Sequence, residues 1–411
     1  MVKRIVPAVV LLVAASLAAG NSSAVAGGPA PAAALSSTHI AAAVNGNIVL
    51  FRADGGARQQ LTHAGVDSHP VTSPDGNSVA FLRALRPFHA NDPGPRSYYV
   101  MVALPGNGGQ YRIVKFASHA IVLPPSRTTL AWQPGIPTGL AWFDTGTVMY
   151  RRTSGNQHPM LILNGDFAVH QGEFSLPLVW SPNGSQIATA NAIPTGGQVS
   201  PRALRIVVRS GTQHQHVVTA YFRPGVLGDA TTAHSSHPVA AGPTFSGDGR
   251  HLLFATASGG MGYGLTGVFQ VPLAGGVAQM ILGNGNGLRG RPPFSPAVES
   301  STQFQLSPDR RYIATDPNNH FWISGAVAHP YTIPVPKAVS CVVSQWIWLP
   351  NSSGIAYVTG CTIPGNQPLY RLTLSTVSVN GGAPHVLRRL DARDQQAIDL
   401  APSYRCVACG G

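Results

Sequence analysis

The sequence predicts an all-β protein, a single domain of repeated four-stranded antiparallel sheets. Three observations predict it. Glycine and proline, 46 and 35 residues, are spread along the chain as turn punctuation. Between them lie short runs rich in valine, isoleucine, phenylalanine and tryptophan, which favour strands. Only 10% of the residues are charged and 44% are hydrophobic, so the chain has enough apolar material for one large core.

The N-terminus has the features of an export signal. Lys3 and Arg4 precede an apolar run, 5–19, and the letters AVA at 24–26 then give a small-residue cleavage pattern. A retained membrane anchor is the alternative, but the run is short for a span of ~20 residues and a proline interrupts it. We therefore expect a signal peptide over 1–26 and an exported mature chain, extracellular or held in the periplasm or cell envelope.

One pattern recurs through the predicted domain, 39–403, which follows a flexible segment, 27–38. It consists of an apolar strand, a turn built on Ser-Pro-Asp-Gly or a relative, and a second apolar strand. Proline presets the φ angle, aspartate bonds back to the backbone, and glycine accepts the positive φ of a tight hairpin. The three clearest turns are Ser73, Pro74, Asp75 and Gly76; Ser181, Pro182, Asn183 and Gly184; and Ser307, Pro308 and Asp309. Further copies begin at Pro243 and Trp346, and a degenerate copy begins at Leu130.

The copies are followed by further strand-like runs, so a repeat of roughly 40–65 residues supplies four short strands, as in a blade of a β-propeller. One blade cannot bury both faces of its sheet, whereas blades stacked around an axis can. The runs 40–44, 47–53 and 59–62 supply three more strands, and 397–403 supplies a fourth from the other end of the chain. We favour seven blades, the ring closed by N- and C-terminal strands, with six as the alternative.

The segment NIVLFRADGGARQQLTHAGVDSHPVTSPDGNSVAFLR, from Asn47, resembles the PD40 (WD40-like) repeats of TolB-like propellers. The Ser-Pro-Asp-Gly hairpin, the apolar strand after it and the Gln-Leu-Thr before the next blade carry the resemblance, which covers Ile40 to Leu400. It implies the propeller fold and no particular function, because these propellers serve many roles. Similar repeats form the propeller domains of prolyl-oligopeptidase-like enzymes, but the chain has no Gly-x-Ser-x-Gly nucleophile motif.

The four cysteines fit an oxidising compartment. Cys341 and Cys361 flank a predicted hairpin almost symmetrically, so we expect a structural disulfide between them. Cys406 and Cys409 form a C-x-x-C in the C-terminal tail, 404–411. That spacing also occurs in redox and zinc sites. Because no second C-x-x-C is present, a closed terminal disulfide is the favoured interpretation, and a redox role stays open.

The charge balance favours anionic partners. The formal net charge is +12, and it is +10 once Lys3 and Arg4 are removed with the signal. The positive electrostatic field of such a chain attracts acidic glycans, teichoic-acid-like polymers or anionic lipid surfaces. Nucleic acid is not expected, because the chain carries an export signal and no recognition motif. We expect a monomer that is peripheral to a membrane at most and that needs no cofactor.

Binding residues are expected in the longest loops, since propellers place ligand contacts on loops at their axial faces. The alternative for each arginine there is a solvated charge without a ligand. The loop candidates are Arg86, His89, Arg96, Arg202, Arg223, Arg289 and Arg291. The tryptophans on first and second strands are interpreted as contacts between neighbouring sheets.

Histidine is enriched, with 15 in the chain. His214 and His216 lie on one face of a predicted outermost strand, and His234 and His237 follow in a loop. Surface histidines are the favoured interpretation, and a metal site is the weak alternative. The chain is thus expected to be a non-catalytic binding or scaffold protein for a protein partner or an anionic polymer. The alternative is a polysaccharide lyase or hydrolase-like enzyme with a site in the channel.

Overall fold

The computed structural model places its described residues in strands and short turns. None of them belongs to a helix long and apolar enough to span a membrane. The described residues are 38–56, 58–86, 96–106, 109–123, 130–136, 139–144, 147–152, 154–162, 178–191, 203–210, 214–221, 239–257, 265–283, 301–309, 311–317, 320–325, 331–334, 341–363, 369–393 and 397–400. The predicted signal peptide, 1–26, and the tail 404–411 with its C-x-x-C lie outside them.

The strands form seven sheets that follow one another along the chain, within the part that the structure describes. The first sheet contains β1 (His39–Val44), β2 (Asn47–Arg52), β3 (Arg58–Gln60) and, from the C-terminus, β30 (Ile398–Asp399). The second contains β4 (Asp67–Thr72), β5 (Val79–Ala84), β6 (Arg96–Pro105) and β7 (Tyr111–Lys115), with β8 (Ile121–Leu123) beside β6. The third contains β9 (Leu130–Trp132), β10 (Gly139–Asp144), β11 (Thr147–Arg152) and β12 (His158–Ile162).

The later sheets repeat the plan. The fourth contains β13 (Val179–Trp180), β14 (Gln186–Asn191), β15 (Ala203–Ser210) and β16 (His214–Tyr221). The fifth contains β17 (Val239–Phe245), β18 (His251–Ala257), β19 (Leu265–Pro272) and β21 (Gln279–Gly283). The sixth contains β22 (Ser301–Leu306), β23 (Tyr312–Pro317), β24 (His320–Gly325) and β25 (Tyr331–Pro334). The seventh contains β26 (Cys341–Trp348), β27 (Gly354–Ile363), β28 (Leu369–Ser378) and β29 (His385–Ala392).

Two strands depart from the sequence prediction of four strands per sheet. Strand β8 is additional to the predicted ones, and it pairs with the start of β6, where Tyr98 lies opposite Ile121. The apolar run 277–282 predicts one strand, but it is split, and its first residue belongs to β20 (Gly276–Val277), which pairs in parallel with β16 of the fourth sheet. Both additions cover a strand edge that would otherwise expose unpaired backbone groups.

The repeat turns form as predicted, and their serines contribute more than the sequence indicated. Gly76 has a φ of 74°, and Gly184 has a φ of 67°. The backbone N–H of Asn77 donates to Asp75 at 3.2 Å. The Ser73 hydroxyl donates to the Asp75 carboxylate and accepts from the N–H of Ser78 at 2.9 Å. Ser246 and Ser307 make the same two bonds in their own turns, and Ser181 does so with the side-chain amide oxygen of Asn183 in place of the carboxylate.

The core consists of apolar clusters between neighbouring sheets. The second, third and fourth sheets share one cluster, which includes Val100, Trp142 and Trp180. Further clusters join the first and second sheets, the fourth and fifth, and the sixth and seventh. Strand β22 contacts β17 and β19, which joins the fifth and sixth sheets. Each sheet therefore buries its faces against neighbours, as the propeller prediction requires.

The seventh sheet also contacts the first. Phe51 and Leu372 share one cluster with Ile398 and Leu400, both of which are fully buried. The predicted strand in 397–403 is present as β30, in which Ile398 lies opposite Val44. The side chain of Gln345 accepts the Leu400 N–H at 2.6 Å, so the seventh sheet holds the same strand by its backbone.

Candidate functional site

The candidate site lies where the first strand of the second sheet, β4, meets the C-terminal strand β30. We call the residues Asp67, Ser68, His69, Arg83 and Asp399 the His69 cluster. Strand β4 is irregular here, because its register with β5 shifts between Ser68 and Val71. Such bulges re-aim a side chain and are frequent near functional sites. The cluster brings together residues that are 330 positions apart in the chain.

His69 is held in an unusual backbone conformation. Its φ is 54°, a left-handed value that few residues other than glycine adopt. The backbone N–H of His69 donates to Asp399 Oδ2 at 2.8 Å. Its ring Nδ1 lies 3.6 Å from the same oxygen and 3.0 Å from Ser68 Oγ. Since strained conformations persist where the surroundings enforce them, the Asp399 contact explains how this one is kept.

Asp67 and Arg83 form an ion pair that holds the cluster in place. Arg83 donates to both carboxylate oxygens of Asp67, at 2.6 and 2.9 Å. The Asp67 side chain has no exposed surface, whereas that of Arg83 is 27% exposed. These hydrogen bonds, together with the negative charge of Asp67, raise the pKa of Arg83, although partial burial acts against them. A bidentate pair of this kind fixes the β4–β5 hairpin.

The chemistry available to the cluster is that of a histidine–carboxylate pair. Asp399 Oδ2 faces Nδ1 of the ring at 3.6 Å, so the carboxylate orients the imidazole. Both Ser68 and Asp399 approach the same ring nitrogen. Because a nucleophile and its orienting acid need opposite ring nitrogens, this arrangement differs from a Ser-His-Asp triad. Within the described ranges, no three histidine, cysteine or acidic side chains group as metal ligands.

Sequence reasoning did not find the His69 cluster. The only local signal is a histidine before Pro70 in a first strand, and such a residue is ordinary in an extended segment. Asp399 lies on the predicted closing strand. Its contact with His69, however, depends on how the two ends of the chain come together. The side-chain pairing therefore depends on long-range topology that no local pattern contains.

The predicted binding residues fall mostly outside the described part of the chain. Arg86 lies within the described residues, where it follows β5 and is exposed. Arg96 is the first residue of β6. His89, Arg202, Arg223, Arg289 and Arg291 lie outside the described residues. Their role in binding stays a prediction.

The predicted histidine site has a surface location. His214 and His216 lie on β16, the outermost strand of the four antiparallel strands in its sheet, and His216 is exposed. The other two candidates, His234 and His237, are outside the described residues. The turn residues of the repeats serve the hairpins described above.

The predicted disulfide is present. Cys341 and Cys361 are directly opposite each other on β26 and β27, with their Cα atoms 4.0 Å apart, and the bond joins their sulfur atoms. The sequence predicts a turn at Asn351 to Gly354, and in the structure the hairpin turns between Trp348 and Gly354. The bond therefore links the first two strands of the seventh sheet at the end away from their turn. Cys406 and Cys409 lie outside the described residues.

Comparison with known proteins gives distant structural likenesses. No protein-family model matches the chain, and no curated protein matches it in sequence. The chain is similar to TolB from Acinetobacter baumannii at 13% identity, covering 87% of this chain and 64% of that one, with a TM-score of 0.41. It is similar to an oligogalacturonate lyase from Vibrio parahaemolyticus at 11% identity, covering 85% of both chains, with a TM-score of 0.48. It is similar to a GH74 enzyme from Niastella koreensis at 11% identity, covering 90% and 67%, with a TM-score of 0.45.

Proposed function

We propose that the chain is an exported, closed seven-bladed β-propeller of the PD40 kind that binds an anionic partner without catalysing a reaction. The partner is an acidic polymer or an acidic protein surface of the cell envelope. Each part of this proposal has its own support in the chain: the contacts of β30 for the ring, the disulfide for export, and the distribution of charge for the partner.

The contacts at the chain ends support the ring of seven. Strand β30 completes the first sheet beside β1, and the N–H of Asn45 donates to the Ala397 carbonyl at 2.8 Å. Across the junction with the seventh sheet, the side-chain amide of Asn351 donates to Thr38 Oγ1 at 2.6 Å. A closed ring leaves no sheet face uncovered, which suits an isolated stable domain.

The disulfide supports export. Disulfides persist in the periplasm, at the cell surface and outside the cell, and they are rare in a reducing cytosol. The Cys341–Cys361 bond therefore fits the compartment to which the predicted signal peptide would direct the chain.

One observation carries the anionic partner: the described carboxylates are already engaged, and many of the arginines are not. Asp54, Asp67, Asp309 and Asp391 pair with arginines, and Asp75 and Asp248 accept from the serines of their turns. Within the described ranges, no carboxylate forms an ion pair with the exposed Arg58, Arg112 or Arg389. Cations without a partner at the surface attract polyanions and are screened by salt.

The proposal is tested with the mature chain from Gly27, immobilised through a tag. Polygalacturonate, poly(glycerol phosphate) and neutral dextran are passed over it from low to high salt. We expect both acidic polymers, or one of them, to bind and to be released steeply by salt, with dextran not retained. Equal retention of dextran, or no retention of any acidic polymer or envelope protein at low salt, would contradict the proposal.

A channel-centred enzyme is the second candidate, and the His69 cluster is the observation that favours it. A histidine with an orienting carboxylate is suited to move a proton during cleavage of an acidic polysaccharide. His69→Gln should then abolish the release of unsaturated or reducing ends, whereas His251→Gln, beside the exposed turn of Asp248, should leave it unchanged. If the unaltered chain releases no unsaturated or reducing ends, the enzymatic function is excluded.

A further inference from the structure

The outermost strands of the sheets differ sharply in charge. In the third to sixth sheets, β12, β16, β21 and β25 contain no lysine, arginine, aspartate or glutamate. In the first, second and seventh sheets, β3, β7 and β29 carry five cations between them. We call these five the basic rim: Arg58, Arg112, Lys115, Arg388 and Arg389.

The three strands of the basic rim are neighbours. The side chain of Gln59 on β3 donates to the Gly109 carbonyl at 2.8 Å, just before β7 begins. On the other side, Gly55 precedes β3 and lies against β29: a Cβ placed on it would be 3.6 Å from the Val386 carbonyl oxygen and 3.7 Å from Leu387 Cδ2. The positive strands therefore form one continuous arc across both junctions of the first sheet.

The charges of the rim are available to a partner. Arg58, Arg112, Lys115 and Arg389 are exposed, and Arg388 is half-buried. The one carboxylate on these strands, Asp391, already accepts from Arg371 at 3.1 Å. The ammonium of Lys115 lies 3.8 Å from the centre of the Tyr99 ring, a contact that orients the side chain and leaves its charge unneutralised.

Arg58 and Arg388 lie on facing sides of the junction between the first and seventh sheets. Arg58 lies opposite Phe51 on β2, and Arg388 lies opposite Leu374 on β28. Phe51 and Leu374 belong to the same apolar cluster between the first and seventh sheets. The two arginines therefore extend from facing sides of this cluster, one from each sheet, at its outer end. An anionic group placed there meets positive charge from both sides.

We propose that the basic rim is the binding surface for a linear polyanion, which lies across the outer edges of the three neighbouring sheets. This rests on the proposed function, because it assigns to the anionic partner the surface that it contacts. Three blade edges in a ring of seven turn through more than a right angle, so a flexible chain follows them and a flat membrane does not. Among the described residues, no strand pairs with the outer edges of β3, β7 and β29, so these edges can offer backbone N–H groups to an acidic or hydroxylated polymer.

The experiment compares two variants that lose equal charge. The rim variant is R58Q/R112Q/R389Q, and the control variant is R152Q/R250Q/R311Q, which neutralises three exposed arginines of the third, fifth and sixth sheets. The probes are fluorescein-labelled polygalacturonate and poly(glycerol phosphate), which distinguish carboxylate from phosphate recognition. We expect the rim variant to weaken binding about 10-fold, since three exposed charge contacts are each worth little. We expect the control variant to change it by less than about 3-fold.

The outcomes separate this inference from the proposed function. Loss of binding in the control variant with the rim variant unaffected overturns the basic rim and leaves polyanion binding standing. If the unaltered chain retains neither polymer, the basic rim fails as a polymer site; if it also retains no envelope protein, the proposed function fails with it. Retention by anionic vesicles without retention of either polymer also overturns the rim as a polymer site. Near-UV circular dichroism checks folding, and R58Q/R388Q alone, at the junction of the first and seventh sheets, provides the milder variant.

Discussion

At the scale of single residues, tryptophan connects one sheet to the next. The indole Nε1–H groups of Trp132, Trp180 and Trp348 donate to backbone carbonyls of the preceding sheet, at Val71, Ala131 and Gln305, over 2.9 to 3.1 Å. Each of these tryptophans ends a first strand, directly before the repeat turn. The sequence indicated that tryptophans would lie between sheets, but the hydrogen bond follows from the stagger of neighbouring strands, which the sequence does not show.

We predict that Trp180→Phe destabilises the chain more than Trp142→Phe. Both residues are buried, but Trp142 Nε1 has no hydrogen-bond partner among the described residues, whereas Trp180 Nε1 bonds to the Ala131 carbonyl. Replacing Trp180 removes that hydrogen bond, which contributes about 0.5–1.5 kcal/mol beyond the lost volume. Urea titration measures the free energy of unfolding of both variants. Equal losses would mean that the bond contributes nothing.

We also predict that the turn aspartates give the chain an acid-sensitive stability. The Ser246 hydroxyl and the Arg250 N–H hold the pKa of Asp248 below its ordinary 3.8. For Asp75 and Asp309 partial burial is the largest effect and raises the pKa, but the hydrogen bonds outweigh it and the net pKa is lowered. A lowered folded-state pKa adds stability above about pH 4, and this stability is lost as the pH falls through the folded value.

The matched test is D75N/D248N/D309N, because Asn183 already occupies this position in one turn and accepts from Ser181 at 2.8 Å. The thermal midpoint of the unaltered chain should fall more steeply below about pH 4 than that of the variant, and the two should converge in acid. Parallel curves across the acid range would show that these carboxylates do not control acid stability.

At the scale of elements, the C-terminal strand β30 is short but fixed from both sides. Its Asp399 accepts from His69 in the second sheet, and the adjoining Leu400 donates to Gln345 in the seventh. Leu400 and Ile398 are fully buried. A two-residue strand therefore receives its stability from its neighbours rather than from its own ladder.

Truncation after Gln396 should destabilise the whole domain, whereas truncation after Ser403 should not. The shorter chain loses the burial of Ile398 and Leu400, which amounts to about 3–6 kcal/mol for two large aliphatic side chains. Urea unfolding of both truncated chains measures the difference. If the two unfold at the same denaturant concentration, β30 contributes nothing to the stability of the first sheet.

Elements were predictable from the sequence where the pattern was local. The strand-turn-strand copies around Ser73, Ser181 and Ser307 were found because glycine, proline and aspartate punctuate apolar runs. The division of 277–282 was not predictable, because β20 leaves its own hairpin to pair with β16. In the candidate site, Asp399 could be placed on a strand, but its contact with His69 could not.

At the scale of the whole molecule, the apolar clusters couple every sheet to a neighbour. The Trp142 and Trp180 cluster alone spans three sheets, and the Phe51 cluster joins the last sheet to the first. A sheet that separates from its neighbours exposes both buried faces. Local unfolding of one sheet is therefore costly, because its neighbours lose the apolar surface that they share with it.

We predict a single unfolding transition for the mature chain. Tryptophan fluorescence reports chiefly on the third, fourth and seventh sheets, where Trp142, Trp180 and Trp346 are buried, and far-UV circular dichroism reports on all strands. The two signals should coincide across a urea titration. A fluorescence transition displaced from the dichroism transition would show that groups of sheets unfold independently.

The pairing of β30 with β1 has a consequence in time. Val44 meets Ile398 only after nearly all of the remaining chain has been synthesised, which takes roughly 20–70 s at ordinary translation rates. During that interval the first sheet has one bare edge, open to pairing with a wrong strand. Completion of the domain is thus postponed to the very end of the chain. Delayed assembly suits the proposed export, in which the polypeptide would pass through a membrane channel while still unfolded.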